Sequence, residues 1–290
     1  MNFGVEDPRL RARIESVHAL PGVRAGSALL SLDDCLLAVQ DDAWCVAWIA
    51  LPGLSITLQV LGGDGAPLSK AEKPDFEAAL RTHDGDVYLL GSGSKRNRRT
   101  LARIGPDRRV TLREAPELYD GIQTALGLEQ RPNIEAAVVD DRQLRLFHRG
   151  AGAAPSACVD LPLSNLDGGS FQLLARHWFQ LGELDGVALH FTDAVSSGSG
   201  RSLFLAAAER TDDAFADGPV AGSAVGLIDG YGQALNVRWT RLLERDGQPS
   251  RRKGEGLVVD RDGRSAWVLT DPDHPDRPAE LCRVVLEGFT

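Results

Sequence analysis

The sequence of 290 residues has only four cysteines, and none of them stands in a metal-binding or redox motif. No pair has the C-x-x-C spacing, and no histidine lies near a cysteine at the spacing of a zinc site. The sequence therefore gives no support to structural zinc or to a thioredoxin-like dithiol. We predict that the cysteines are small buried side chains of a reduced protein: Cys35, Cys45, Cys158 and Cys282.

The sequence also lacks an excess of positive charge and a long apolar segment. Its 32 Lys and Arg face 41 Asp and Glu, for a net charge of -9. This balance argues against a general nucleic-acid binder, because phosphate neutralisation needs a basic surface. The longest apolar run, residues 45–51, is too short to span a bilayer. The N-terminus carries acids and no apolar core of a signal peptide, so we expect a cytoplasmic protein without nucleic-acid or membrane partners.

Helical periodicity is almost absent as well, apart from one short candidate helix at residues 117–126. What is present instead is a pattern of apolar strands separated by turns, in a chain with 31 Gly and 15 Pro. The clearest example covers residues 77–91. An acid opens its first strand, Asp84-Gly85 forms a turn of the type that joins hairpins, and a second apolar strand follows.

Variants of this unit begin near residues 27, 77, 135, 185, 222 and 255. Six units in 290 residues correspond to roughly 48 residues each, a period typical of four-stranded propeller blades. We predict one all-β domain over residues 1–290, a six-bladed β-propeller with four-stranded blades around a central channel. Residues 14–20 are predicted to close the last blade by pairing with residues 283–286, which removes an exposed edge. A two-sheet sandwich is the competing architecture, since it also consists of short strands and regular turns.

The repeat predicts where the charged residues meet. The first strand of each blade lines the channel of a propeller, so equivalent residues on the first strands should form a ring. The acids predicted for this ring are Glu77, Glu135, Asp185 and Glu255. The second strand returns antiparallel and ends beside the start of the first. Its end contributes Asp41, Arg149, Glu209 and Asp271, and the residues just before the first strands contribute Lys73, Asp75, Asp217 and Lys253.

Carboxylates at such density need compensation, and three kinds are open. Ca²⁺ could take oxygen ligands from several blades, with the four acids of the predicted ring as its ligands. Lys73, Arg149 and Lys253 could neutralise the acids in a buried network. Raised pKa values could leave some carboxyls protonated, which is the state that a general acid requires. In the alternative interpretation the acids only hold neighbouring blades in register.

Two further signals receive structural interpretations. The segment at residues 91–96, Gly-Ser-Gly-Ser-Lys-Arg, does not match a phosphate-binding P-loop. Its backbone amides, together with Lys95, Arg96, Arg98 and Arg99, could bind an anion at the channel mouth, but a solvated basic loop is the prediction that we favour. His148, the histidine nearest to the predicted ring, is interpreted as a packed strand residue.

Several segments resemble those of uncharacterised bacterial six-bladed propellers, which are distantly similar to the phytase-linked esterase-like propellers. The segments are K-P-D-F-E-A, L-L-G-S-G-S, N-I-E-A-A, F-T-D-A, A-A-A-E-R-T-D-D-A-F-A-D-G and K-G-E-G-L. The resemblance extends over residues 27–286 and implies a propeller fold. Calcium-dependent lactonase propellers place acidic and amide ligands on the channel axis, but their ligand set does not map onto this chain residue by residue.

By this analogy we expect an axial pocket that binds a small polar molecule, with ester or lactone hydrolysis as the reaction. Candidate ligand-binding residues are Asp41, Lys73, Asp75, Asp217 and Lys253. Glu209 or Asp271 would act as general base, and Arg149 or Lys253 would stabilise the oxyanion. A binding or scaffold module without catalysis, with room for a protein partner, is the alternative.

Overall fold

The computed structural model describes residues 1–198, 200–210, 218–230, 235–274 and 276–290. Its strands fall into five groups of four antiparallel strands, each of which we call a blade. Two strands precede them, β1 (Asn2–Glu6) and β2 (Arg11–Ala19). Blade 1 consists of β3 (Gly26–Leu32), β4 (Cys35–Gln40), β5 (Cys45–Ala50) and β6 (Ser55–Val60). Blade 2 consists of β7 (Phe76–Arg81), β8 (Val87–Gly91), β9 (Thr100–Ile104) and β10 (Val110–Glu114).

The helix α1 (Pro116–Leu126) connects blades 2 and 3, and it confirms the helix predicted there. Blade 3 consists of β11 (Ile134–Asp140), β12 (Gln143–His148), β13 (Ser156–Pro162) and β14 (Ala175–Gln180). The short β15 (Glu183–Leu184) precedes blade 4, which consists of β16 (Val187–Gly198), β17 (Arg201–Glu209), β18 (Val220–Asp229) and β19 (Asn236–Leu243). Blade 5 consists of β20 (Lys253–Val259), β21 (Ser265–Asp271), β22 (Glu280–Glu287) and the N-terminal β2.

The blades are arranged in a ring. The first strands contact one another in the cyclic order β3, β7, β11, β16, β20 and back to β3. The buried apolar side chains form five clusters, and each cluster lies between two neighbouring blades. Blades 5 and 1 share one of these clusters, which closes the ring by packing. A two-sheet sandwich would have one core between two faces, so the arrangement is propeller-like.

The count of six repeats is wrong for the described residues, because the unit expected to begin near residue 222 belongs to blade 4. Its strand β18 lies between β17 and β19 in the same sheet, where Val225 pairs with Leu205 on one side and Thr240 on the other. Blade 4 misled the count because its strands are long. The 12 residues of β16 and 10 of β18 gave one blade the appearance of two.

The N-terminal strands tie the ring together. Strand β2 pairs antiparallel with β22, with Ile14 opposite Val284 and Val17 opposite Cys282, so both ends of the chain contribute to blade 5. Strand β1 was not anticipated. It lies parallel to β14 of blade 3 and to β19 of blade 4 and thereby bridges these two blades.

Three of the four cysteines are buried, and Cys35 is half-buried, with all four thiols free. No helix within the described chain has the length and apolarity that crossing a membrane requires.

Every first strand contains a β-bulge at the equivalent point. The register with the second strand shifts around one residue in each blade, and the bulged residues are Ser27, Glu77, Glu135, Thr192 and Glu255. We call these five residues the bulge ring. A bulge bends the strand and changes the direction of one side chain. Because a bulge occurs in every first strand, the same local geometry is repeated five times around the axis.

Candidate functional site

An axial cavity of about 390 Å³ lies at the bulge ring, and side chains from all five blades line it. Ten of the twelve residues predicted from the sequence line this cavity: Asp41, Lys73, Asp75, Glu77, Glu135, Arg149, Glu209, Lys253, Glu255 and Asp271. The structure thus brings together residues that are up to about 230 positions apart in the chain. These residues meet because the end of each second strand lies beside the start of the first strand of the same blade.

Asp185 is not part of the site, contrary to prediction. It occupies a turn with φ of 52° ahead of β16, and its side chain is 44% exposed. Its carboxylate forms ion pairs with Arg241 at 2.8 Å and Arg251 at 3.3 Å, away from the axial cavity. The residue of blade 4 in the bulge ring is Thr192. Asp217, the other predicted residue absent from the cavity, lies outside the described residues.

Hydroxyl groups fill two places of the bulge ring and connect neighbouring blades. Ser27 Oγ donates to the carbonyl oxygen of Phe76 in blade 2 at 2.6 Å. Thr192 Oγ1 donates to the carbonyl oxygen of Gly254 in blade 5 at 2.7 Å. Each acceptor is the residue just before the next member of the ring. The two hydroxyls therefore hold blades in register, while the three glutamates of the ring carry ionisable groups at the same level.

The Lys73 cluster, which comprises Asp41, Lys73, Asp75, Glu77 and Arg98, occupies the side of the cavity formed by blades 1 and 2. Lys73 Nζ contacts the carboxylate of Asp41 and lies 2.8 Å from Asp75 Oδ1. Arg98 Nη1 donates to Asp75 Oδ2 at 2.8 Å. Burial disfavours the Lys73 ammonium, but the carboxylates of Asp41, Glu77 and Asp75 outweigh it and raise its pKa. Lys73 is therefore a permanent cation.

Arg98 was missed because the basic loop was predicted to be solvated. The structure corrects this: Arg98 and Arg99 are buried, and Arg99 pairs with Asp120 of α1. The loop is held against the site by α1, whose Tyr119 hydroxyl donates to the carbonyl oxygen of Gly91 at 2.6 Å. Gly93, with φ of +79°, packs so closely on the Tyr119 ring that a larger residue would collide with it.

The Lys253 cluster, which comprises Glu135, Arg149, Glu209, Lys253 and Glu255, occupies the opposite side. Arg149 Nη2 donates to Glu209 Oε2 at 2.6 Å, and Arg149 Nη1 lies 3.6 Å from Glu135 Oε1. Lys253 Nζ lies 3.1 Å from Glu255 Oε1 and 3.6 Å from Glu209 Oε2. Two bases thus compensate three acids, all within side chains that are at most 12% exposed.

Burial changes the protonation of several carboxyls in the cavity. It raises the pKa of Glu135 to about 7, although the Arg149 guanidinium opposes the shift. It raises the pKa of Asp271 to about 8, with a further contribution from the negative charge of Asp273. Glu77 has a pKa well above its usual range through burial and through the carboxylates of Asp41 and Asp75. The cavity therefore holds protons at neutral pH that the same residues would lose in water.

Glu209 behaves differently from these acids. Burial alone would raise its pKa, but Lys253 and Arg149 outweigh burial and hold it below the usual range. The backbone N–H of Gly218 also donates to Glu209 Oε1 at 2.8 Å. Glu209 is a fixed carboxylate, whereas Glu135 and Asp271 titrate near neutrality.

The carboxylates that lie close enough together to bind calcium differ from the predicted set. Asp41, Asp75 and Glu77 bring carboxylate oxygens within 4.8 Å of one another, so this triad has the donor type that Ca²⁺ prefers. Of the acids predicted as metal ligands only Glu77 belongs to it, while Glu135 and Glu255 belong to the Lys253 cluster. The Lys73 ammonium already contacts two of the three carboxylates, so the triad fits a metal only if Lys73 moves away.

Sequence reasoning also missed Asn133 and His190, which stand two positions before bulge-ring residues and line the cavity. Asn133 Nδ2 donates to Glu135 Oε1 at 2.5 Å. Counting back from the hairpin turn would have found His190 and Thr192, because the turn follows the bulge at a similar distance in every blade. His148 is buried and its Nδ1 accepts from the Asn133 backbone at 3.0 Å, as a packed strand histidine does.

Comparison with known proteins assigns this chain to a family. A family model matches residues 22–286, which is most of the chain. The chain belongs to DUF6929, a family of unknown function. A search of the curated proteins found no match to this DUF6929 member.

Solved structures similar to this DUF6929 protein share its fold at low sequence identity. A luciferin-regenerating enzyme is 10% identical with a TM-score of 0.51, over 95% of this chain and 97% of that one. The glutaminyl cyclase of Myxococcus xanthus is 12% identical with a TM-score of 0.52, over 95% of this chain and 96% of that one. At these identities the likeness concerns the fold alone.

Proposed function

We propose that this protein binds a small polar molecule in the axial cavity and hydrolyses an ester or lactone there. The observation that supports this most directly is a pair of buried carboxylate oxygens, Asp41 Oδ1 and Glu255 Oε2. Neither has a hydrogen-bond partner among the described residues. A buried acceptor without a partner costs about 1–3 kcal/mol, and N–H or O–H groups of a ligand would recover this free energy.

Asp271 is the better candidate for the general base. Among the described residues, its carboxyl group accepts one hydrogen bond, from the Asp273 backbone N–H at 2.9 Å, and forms no ion pair. Its raised pKa makes it a stronger base than an ordinary aspartate once it is ionised. Glu209 is less suited, because the cations beside it lower its basicity. Arg149 and Glu209 support the cavity wall in this proposal.

Lys253 is the candidate for oxyanion stabilisation. It lies directly opposite Asp271 in the ladder between β20 and β21, and its side chain is 10% exposed. A cation that is fixed in position and shielded from water stabilises a developing negative charge more strongly than one in bulk water. The general base and the cation that stabilises the oxyanion are thus neighbours on one blade.

Calcium binding is a separate proposal, for which the triad of Asp41, Asp75 and Glu77 supplies the donors. Because Lys73 and Ca²⁺ would compete for one position, no step of the hydrolysis is assigned to a metal. The same ion pairs favour the alternative function, a binding or scaffold module without catalysis. Lys73 connects blade 1 with blade 2 through Asp41 and Asp75, and Arg149 connects blade 3 with blade 4 through Glu209.

The test is a hydrolysis assay with a panel of p-nitrophenyl esters and of five- and six-membered lactones. We expect turnover of at least one substrate, with kcat/KM rising with pH and levelling above about 8, since the base must lose its proton. Asp271→Asn should lower kcat/KM by about 10²–10⁴-fold, the usual contribution of a positioned base.

Asp185→Asn is the matched control, because this aspartate lies outside the cavity, and it should retain full activity. Hydrolysis that survives in Asp271→Asn would remove Asp271 from the mechanism. If the wild type hydrolyses no substrate of the panel while polar molecules still raise its melting temperature, the binding module is the better description.

A further inference from the structure

A second cavity of about 610 Å³, the side cavity, lies between blades 3 and 4 beside the axial cavity. Its walls are β1, the loop at residues 149–155, the end of β14 and the hairpin of β15 and β16. The loop has the sequence Arg-Gly-Ala-Gly-Ala-Ala-Pro, whose small side chains leave the space open. Most of the lining is apolar or small, including Phe3, Ala153, Ala154, Leu181, Val187 and Leu189.

The two cavities share two lining residues, His190 and Glu209. His190 contacts the start of β13 with one ring nitrogen and the loop with the other. Nδ1 lies 3.1 Å from Ser156 Oγ, and Nε2 lies 3.2 Å from the carbonyl oxygen of Gly152. Burial lowers the pKa of His190 to about 4, so the ring is neutral in solution near pH 7. The side chains common to both cavities are therefore one neutral imidazole and one carboxylate held by Arg149.

The two cavities differ in the residues that line them. Charged groups surround the axial cavity, whereas small and apolar residues form most of the side cavity and share its surface with polar groups such as Glu183 and Arg210. Charged walls give orientation but little net affinity, because the ligand and the protein both lose hydration. Apolar contact supplies affinity, at roughly a three- to fourfold gain in binding constant per buried methylene group.

We propose that the side cavity is a subsite for the hydrocarbon part of the molecule whose polar head lies in the axial cavity. This inference rests on the proposed function and narrows it: the substrate is an amphiphile, an ester or lactone with an aliphatic chain. The aliphatic chain of the substrate passes beside His190 and lies against β1 and the loop at residues 149–155. The two cavities adjoin at His190 and Glu209, which line both, and this adjacency favours one ligand that occupies both over an unrelated second ligand.

The experiment measures binding of a homologous series by calorimetry, using straight-chain carboxylic acids and amines from about two to about eight carbons. We expect the affinity to rise roughly three- to fourfold with each methylene until the side cavity is filled. Ala154→Trp should abolish this increase, because the exposed Ala154 lines the side cavity and an indole there would block it, while the affinity for the shortest members stays unchanged. Ala50→Trp, at the exposed end of β5 and outside the lining of both cavities, is the matched control and should behave like the wild type.

Two outcomes would overturn the inference. One is an affinity that does not change with chain length, and the other is a chain-length effect that persists in Ala154→Trp. Either can occur while short polar molecules still bind, so the proposed function would stand. Conversely, if only long members bind and Ala154→Trp removes their binding, the subsite stands and the polar-head part of the proposed function fails. No binding by any member contradicts both.

Discussion

At the scale of single residues, the most informative side chain is Lys73. It is 13% exposed and is the shared counterion of Asp41 and Asp75. Replacing a buried charge by an apolar residue leaves its partners uncompensated, which is commonly far more costly than the net value of the pair. Lys73 therefore has two effects that can be separated by experiment: it stabilises the fold, and it excludes another cation from the triad.

We predict that Lys73→Met lowers the free energy of unfolding by about 3–5 kcal/mol at pH 8, measured by urea unfolding. The deficit should be smaller at pH 5. Burial raises the pKa values of Asp41 and Glu77 in the folded state and Lys73 opposes this rise, so the loss of Lys73 raises both pKa values further. The folded variant therefore takes up more protons than the folded wild type as the pH falls, and its deficit in stability decreases.

The same variant tests the competition with calcium. Ca²⁺ should raise the melting temperature of Lys73→Met, in which the triad lacks its ammonium, and leave the wild type unchanged. Lys73→Arg retains the charge and should resemble the wild type in both measurements. A deficit that is equal at pH 5 and pH 8 would show that Lys73 acts through packing of its aliphatic stem.

Most of the site was predictable at this scale, and the failures have a common cause. Glu77, Glu135 and Glu255 were found because each is an acid at the start of an apolar strand. Asp185 satisfies the same rule but precedes its strand by a turn. Thr192 lies within a long strand, where the bulge is marked by its distance from the hairpin turn and not by an acid. Arg98 was missed because its burial depends on an ion pair with Asp75, which lies 23 residues earlier. No local pattern in the sequence reveals that partner.

At the scale of elements, the repeated bulge explains why polar groups converge on the axis. In each first strand the bulge displaces one residue from the hydrogen-bond ladder with the second strand. The side chain of this residue, or of a residue next to it, then reaches the neighbouring blade. The two hydroxyl members of the ring show the interaction directly, through Ser27 to Phe76 and Thr192 to Gly254. These contacts connect strands that share no ladder, so they are a test of what holds blades in register.

We predict that Thr192→Val lowers the free energy of unfolding by about 1–3 kcal/mol. Valine has nearly the same shape, but it cannot donate to the Gly254 carbonyl, and Thr192 is fully buried, so no solvent replaces the bond. Thr192→Ser keeps the hydroxyl and should lose less than Thr192→Val, despite the methyl group it removes. Urea unfolding of the three proteins gives the comparison, and equal stability of Thr192→Val and the wild type would exclude a role of this bond in joining blades 4 and 5.

At the scale of the whole molecule, the apolar patterns specified the all-β class and the strand–turn–strand unit, but they left the number of units undetermined. Each blade buries both faces against its neighbours, so every strand near the axis has a similar apolar composition. Strand β18, with Gly222 and Ala224 near its start, therefore resembles a first strand. Which strands pair is fixed by contacts distant in sequence, such as the packing of blade 5 on blade 1, and these have no local pattern.

Strand β2 completes blade 5 through a long-range contact with β22. We expect that its removal destabilises the whole ring. Deleting residues 1–19 removes the buried side chains of Leu10 and Ile14 and leaves β22 as a bare edge. Burial of one such side chain contributes about 1.5–3 kcal/mol, so we expect a melting temperature that is lower by many degrees. An unpaired edge strand is also a template for association, so size-exclusion chromatography should show oligomers.

A rearranged chain can separate the pairing from the position of these residues in the sequence. Strand β2 runs antiparallel to β22, with Arg11 opposite Glu287, so the two strands could form a hairpin at the C-terminus. Residues 8–19 attached after Thr290 through a short Gly-Ser link should restore most of the melting temperature and the monomeric state to the truncated protein. If they restore neither, the N-terminal segment stabilises the ring chiefly through β1 and its contacts with blades 3 and 4, and closure of blade 5 is not the decisive contact.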